Sequence, residues 1–267
     1  MYGLVLEGGG AKGAYQIGAW SALRELGIEF SAAVGTSVGA LNAAVILQGD
    51  YDIARELWET MTFSSVFDMN DGVFSKIMGY EFQSKDVLDY REEMNRVFHV
   101  PGLDITPLKE TIKKYLDEDT IRNSGKEFGL VTISIKDLKA LELYLEDIPR
   151  NQLNDMLLAS SYLPVFKLER LHGKFYLDGG FYNNLPTRML VSKGYKNIIE
   201  IRLKDAPEQF PVDTKGLNII RIQPEENLGS SLDFDNGHIL YNMRLGYYDT
   251  MKTFKKLQGQ LKKQVNM

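Results

Sequence analysis

The chain opens with two apolar runs, each followed by a stretch of helical spacing. Tyr2–Leu6 reads as a buried strand and Lys12–Leu26 as a helix closed by Gly27. Phe30–Val34 reads as a second strand and Val38–Gln48 as a second helix. Apolar strands alternating with helices predict an α/β fold with a central, mostly parallel sheet and helices on both faces. From about Tyr51 to Gly125 the spacing is helical but irregular and rich in aromatics: Trp58, Phe63, Phe67, Phe74, Tyr80, Phe82 and Phe98. Strand spacing returns at Phe128–Ile135, Leu141–Leu145 and Phe175–Leu177, with a helix predicted at Pro149–Ser160. Asn197–Leu203 and Asn218–Ile222 read as two further buried strands, joined by a surface loop at Asp205–Lys215. Apolar residues at spacings of three and four from Leu240 through Met243, Tyr247, Met251, Phe254 and Leu257 to Leu261 predict one long helix over His238–Lys263.

A length of 267 residues suits one large domain, with 51–125 as a variable helical insertion or lid. The net charge of −5 gives no electrostatic reason to expect nucleic acid as a partner. With no cysteine, disulfides, thiolate metal sites and a cysteine nucleophile are excluded. The apolar stretch Val38–Leu47 is too short to span a bilayer and is interrupted by Asn42. Met1 leads into the first strand without a basic n-region or cleavage site, so no secretory leader and a cytoplasmic location are expected.

Three short motifs carry the candidate chemistry. Gly35-Thr36-Ser37-Val38-Gly39 places a serine where the second strand turns into the second helix. Small neighbours at such a turn let the hydroxyl stand exposed, with the positive end of the helix behind it. The simpler reading is that Ser37 caps the helix. Gly8-Gly9-Gly10-Ala11-Lys12-Gly13 follows the first strand. Its spacing fits a dinucleotide-binding loop, with Glu29 as the ribose partner, and it also fits an oxyanion hole of bare backbone N–H groups. The second strand runs on past Glu29 to Ser37, which argues against the dinucleotide reading. Lys12 sits near a helix N-terminus, where a cation is disfavoured by roughly 0.3–1 kcal/mol, as suits an anion-binding loop. Asp178-Gly179-Gly180 follows a short strand; it is either an aimed carboxylate or a plain surface turn.

In this order the three motifs resemble those of the patatin-like phospholipase family. Ala159-Ser160-Ser161-Tyr162-Leu163-Pro164-Val165-Phe166 and Asn183-Asn184-Leu185-Pro186 are similar to the segments the family carries before and after its aspartate. The resemblance covers residues 1–50 and 155–203 and implies a patatin-like three-layer sandwich. It implies a lipid acyl-ester hydrolase of the phospholipase A or lysophospholipase type with a Ser-Asp dyad. Ser37 would attack the acyl carbonyl and Asp178 would be its base. Gly8, Gly9, Gly10 and Lys12 would form the oxyanion loop, and Gly13, Gly35, Gly39, Gly179 and Gly180 would support these motifs. The family often carries arginine where Lys12 stands, so the planar fork for bidentate phosphate contact is lost. A free aspartate, with a pKa near ~3.9, is a poor base at neutral pH, so burial of Asp178 in an apolar cleft is expected to raise it.

The rival readings are a nucleotide-dependent oxidoreductase and a non-catalytic lipid binder. His238 would complete a Ser–Asp–His order, but Ser37 comes too early in the chain for the fold that uses it. Asp68–Gly72 and Asp233–Gly237 faintly resemble calcium loops without their glycine or glutamate. No metal and no cofactor are therefore expected. Met61, Phe63, Phe67, Met69, Phe74, Met78 and Phe82 fit an acyl-chain wall or an ordinary core equally well. Lys252, Lys255, Lys256, Lys262 and Lys263 make the last helix basic and suit either a solvated helix face or peripheral contact with an anionic membrane.

Overall fold

The strands are β1 (Tyr2–Leu6), β2 (Phe30–Thr36), β3 (Glu127–Ser134), β4 (Lys139–Tyr144), β5 (Tyr176–Asp178), β6 (Asn197–Ile201) and β7 (Asn218–Ile222). The computed structural model describes residues 1–67, 102–137, 139–204 and 208–265. The sheet runs β4-β3-β2-β1-β6-β7, and β5 pairs with β3 off that path. β2, β6 and their outer neighbours β3 and β7 all continue the parallel direction set by β1, while β4 and β5 lie antiparallel to β3.

Helices cover both faces, unequally. On one face Leu4, Leu6, Ala33, Leu130, Ile199 and Ile201 join the main core with α1 (Ala14–Glu25), α2 (Val38–Gln48), α3 (Tyr51–Thr60), α4 (Thr106–Tyr115), α5 (Glu118–Asn123) and α6 (Leu153–Ser160). On the other, Val5, Ala32, Val34, Val131 and Ile198 pack under the short α7 (Thr187–Ser192), through Met189 and Leu190. The alternation Leu4/Val5/Leu6 and Ala32/Ala33/Val34 is the two-residue period of a strand buried on both sides.

The last helix, α8 (Asn236–Val265), crosses α1 at two glycines. A Cβ on Gly18 would stand 1.8 Å from the Met243 carbonyl oxygen, and one on Gly246 would stand 1.9 Å from that of Tyr15. The two backbones therefore touch. The fully buried Tyr15 donates its hydroxyl to Asp249 Oδ2 at 3.0 Å beside this crossing, and burial holds both groups above their ordinary pKa values.

Several expected boundaries shift for local reasons. The first helix starts late because Gly10–Gly13 is a 3-10 turn, and its C-terminus is closed by Gly27 at φ 67°. The helix expected from Pro149 begins at Leu153, because Asn151 takes a left-handed φ of 64°. Asp178 is the last residue of β5 and is buried, which removes the surface-turn reading. Within 51–125 the described elements are helices, apart from a bridge between Leu103 and Phe166. Phe74, Phe82, Phe98, Tyr80, Met69, Met78 and His99 lie outside the described residues.

Candidate active site

Ser37 sits between β2 and α2 with φ 55° and ψ −128°. A residue with a Cβ holds such a conformation only against a cost of about 1–3 kcal/mol. It occupies the helix N-cap position, yet its side chain makes no capping hydrogen bond. Two glycines allow the turn. A Cβ on Gly35 would fall 2.3 Å from the Gly39 backbone, and one on Gly39 would fall 2.3 Å from the Leu6 carbonyl oxygen. Helix α2 thus starts in backbone contact with the ends of β1 and β2.

The register of β3 brings Asp178 to the same place. Val131 faces Thr36, the last residue of β2, and the next residue of β3, Thr132, faces Asp178. Strand β5 therefore takes up the edge of β3 where β2 stops at Ser37. The surroundings fix both parts. Ser37 N–H donates to Ser160 Oγ at 2.9 Å, and Ser160 donates to the Val131 carbonyl at 2.6 Å. Thr132 Oγ1 lies 2.9 Å from the Ala159 carbonyl and 3.0 Å from that of Leu177. Asp178 N–H donates to the Tyr162 carbonyl, and its Oδ1 accepts from Gly180 N–H at 2.7 Å. Burial pushes the Asp178 carboxyl up to about 6, against hydrogen bonds from the Ser37 side chain and the Gly180 N–H that pull it down.

The glycine loop lies against Ser37, with the Cβ position of Gly8 3.4 Å from Ser37 Cβ. Gly10 has φ 57°, and a Cβ there would meet the Ser231 carbonyl oxygen at 2.1 Å. Gly8 N–H donates to the Asn184 carbonyl at 3.1 Å and Lys12 N–H to the Gly9 carbonyl at 3.3 Å. The N–H groups of Gly9 and Gly10 have no acceptor among the described residues. Buried Glu7 anchors the loop: Oε2 accepts from Leu203 N–H at 2.6 Å and Oε1 from Asn184 Nδ2 at 3.2 Å. Asn184 Nδ2 also reaches the Gly8 carbonyl at 3.0 Å, tying the loop to the segment after Asp178. The Lys12 ammonium is half-buried; burial, then repulsion from Lys204, lowers its pKa.

A buried polar relay backs the loop. Gln16 Nε2 donates to the Glu7 carbonyl at 2.7 Å. Asn42 Nδ2 donates to the Gly13 carbonyl at 3.0 Å and to Gln16 Oε1 at 2.8 Å, and Trp58 Nε1 donates to Asn42 Oδ1 at 3.0 Å. Asn42→Leu leaves these partners buried and unpaired, so a loss of about 2–4 kcal/mol in denaturant titration is expected, with weaker turnover. Sequence reasoning noted Asn42 only as a break in an apolar run; a lone amide in such a run was the signal available. Glu7 gave none, and Ser160 stood out only as part of the family-like segment 159–166, because their roles depend on distant partners.

An apolar cleft opens at Ser37. Gly10 and Ser161 also line it, with Val38, Leu41 and Val45 of α2 and with Trp58, Met61 and Phe67. Trp58 and Phe67 are thus both core and cleft wall. The buried Ser161 hydroxyl has no hydrogen-bond partner among the described residues. The two described histidines lie elsewhere: His238 is exposed and bonded to Asp233, and His172 Nε2 lies 2.7 Å from Asp155 Oδ2. Among the described residues no three His, Asp or Glu side chains gather as a metal site. No described helix is long and apolar enough to cross a membrane. Two of the C-terminal lysines do have an acid nearby in space, since Glu225 pairs with Lys252 and Lys256.

A family model described as patatin-like phospholipase matches residues 4–191, a stretch that holds the glycine loop, Ser37 and Asp178. The chain belongs to the patatin-like phospholipase family. Among family relatives, "Lysophospholipase NTE1" of Scheffersomyces stipitis is 28% identical over 221 residues, 79% of this chain and 12% of that protein. "Patatin-like phospholipase domain-containing protein 7" of Mus musculus is 26% identical over 198 residues, 74% of this chain and 13% of that one. The chain thus spans about one-eighth of the length of these curated relatives. The crystal structure of VipD from Legionella pneumophila shares the fold, with a TM-score of 0.56 at 14% identity over 96% of this chain and 67% of that one.

Proposed function

We propose that this chain is a serine acyl-ester hydrolase acting on lipid, with Ser37 as nucleophile and Asp178 as its base. The observation that carries this reading is Ser37, strained at φ 55° on a strand-to-helix turn, beside a buried carboxyl lifted to about 6. A hydroxyl needs both a base and a prepared home for the developing oxyanion. Asp178 supplies the first. The unengaged N–H groups of Gly9 and Gly10 supply the second, and Gly8 and Lys12 shape the loop with N–H groups already spent within it.

Ser37 Oγ attacks the acyl carbonyl while its proton passes to Asp178. The tetrahedral oxyanion rests on Gly9 and Gly10, and the positive end of α2 favours it. Collapse breaks the ester bond, and the leaving alcohol takes the proton from Asp178. Water, deprotonated by the same carboxylate, then attacks the acyl-enzyme; Ser37 regains its proton and the fatty acid leaves. The apolar cleft suits an acyl chain, and the lysophospholipase name of a relative supports a phospholipid or lysophospholipid substrate.

The base works only when ionised, so activity is lost on acidification. kcat/KM, which reports the free enzyme, is expected to rise about tenfold per pH unit below about 6 and to level above it. A p-nitrophenyl ester assay across this range, with fluorophosphonate labelling mapped to Ser37, tests the reading. A flat profile through pH 6, or labelling at another residue, would sink it.

A further inference from the structure

A second, polar cleft lies beyond the apolar one, bounded by Thr60, Ser64, Ser65, Glu110 and Lys114. The two share four wall residues, Leu57, Met61, Thr111 and Tyr115, and Ser37 belongs to the apolar one alone. Helix α2 measures the span between Ser37 and this partition. Ser37 stands at its N-cap, Val38, Leu41 and Val45 present one face to the cleft, and Gln48 in its last turn donates from Nε2 to the Tyr115 carbonyl at 3.2 Å. Eleven residues at 1.5 Å each put Gln48, which holds the Tyr115 carbonyl, about 16 Å from Ser37 along the helix.

Tyr115 is built to stay in place. Its ring is buried, and its hydroxyl accepts from Lys114 Nζ at 2.7 Å, donates to Glu56 Oε1 at 3.2 Å and lies 3.2 Å from Thr60 Oγ1. An extended chain advances a little over ~1.2 Å per carbon, the projection of a carbon–carbon bond of about 1.5 Å. About twelve carbons therefore fill the apolar length. A longer chain must press on the ring or pass into a polar space.

We propose that Tyr115 is the stop that sets acyl-chain length, making dodecanoyl-sized chains the longest that bind fully. This rests on the acyl hydrolase reading. Each methylene seated in the apolar length is worth about fourfold in kcat/KM, and that gain ends at the stop.

The test is kcat/KM for p-nitrophenyl esters from butanoate to octadecanoate, kept below their aggregation limits. The unaltered protein should gain with each methylene up to about dodecanoate and then level or fall. Tyr115→Ala should move the break to longer chains, raising the hexadecanoate-to-decanoate ratio about tenfold or more. Tyr115→Phe should leave the break where it is, since the ring rather than the hydroxyl blocks the path. Labelling rates with alkyl fluorophosphonates of graded length check the same break without any substitution. A profile with no break, or a break that Tyr115→Ala does not move, overturns the proposal and leaves the hydrolase reading standing. No turnover or labelling at any length overturns both.

Discussion

Asp178→Asn is expected to lower ester hydrolysis by about 10⁴-fold, close to the loss from Ser37→Ala, while the fold becomes more resistant to denaturant. The two halves have one cause. Burial lifts the Asp178 carboxyl from 3.8 to about 6, so the folded protein favours its neutral form. For an acid raised in this way, the stabilising contribution is complete below about pH 4 and is lost as pH climbs through about 6. Above that, an ionised Asp178 weighs on the fold by up to about 3 kcal/mol. Asparagine never ionises. The variant should therefore exceed the parent in urea midpoint at about pH 8, with the gap closing as pH falls toward 4. Urea titrations at both ends of that range, beside ester turnover, check the pair of effects. An inactive variant with no pH-dependent gap would mean that the carboxyl is not desolvated as the structure has it. An active variant would remove Asp178 from the chemistry.

Gly246→Ala is expected to damage stability more than any exposed change. The added methyl would fall 1.9 Å from the Tyr15 carbonyl oxygen, a backbone atom that cannot swing away. Helices α1 and α8 would have to separate along the whole crossing, including the Tyr15–Asp249 hydrogen bond. A loss of about 3 kcal/mol or more is expected in thermal or urea unfolding. Gly259→Ala, on the same helix with open space around it, is the control and should be neutral or stabilising. Equal stability of the two variants would show that the helices do not meet as closely as described.

Much of the site was legible in the sequence because its parts are local. Gly35 and Gly39 bracket Ser37 because α2 starts against the ends of two strands, and only a residue without a side chain fits there. The pairing of Ser37 with Asp178 was legible only through the family resemblance, since the two are 141 residues apart and strand register leaves no local mark. Ser160 looked like an ordinary helix residue; its hydroxyl matters because Val131 and Ser37 converge on it. The proposed oxyanion donors narrow from Gly8–Gly10 to Gly9 and Gly10 because the Asn184 carbonyl, distant in sequence, takes the Gly8 N–H. The late start of α6 turns on Asn151 adopting a left-handed conformation, which asparagine tolerates but does not announce. Lys252 seemed unpartnered because Glu225 lies 27 positions before it and meets it only through the fold.

Strand β3 also acts as a ruler. It indexes Ser37 through Thr36 at one residue and Asp178 at the next. The lengths of chain between β2 and β3, and between β3 and β5, do not enter that measurement. Segments could be lengthened, trimmed or exchanged on either side of β3, altering what reaches the cleft, while Ser37 and Asp178 kept their spacing. A fold indexed in this way can vary its choice of substrate without re-solving its chemistry.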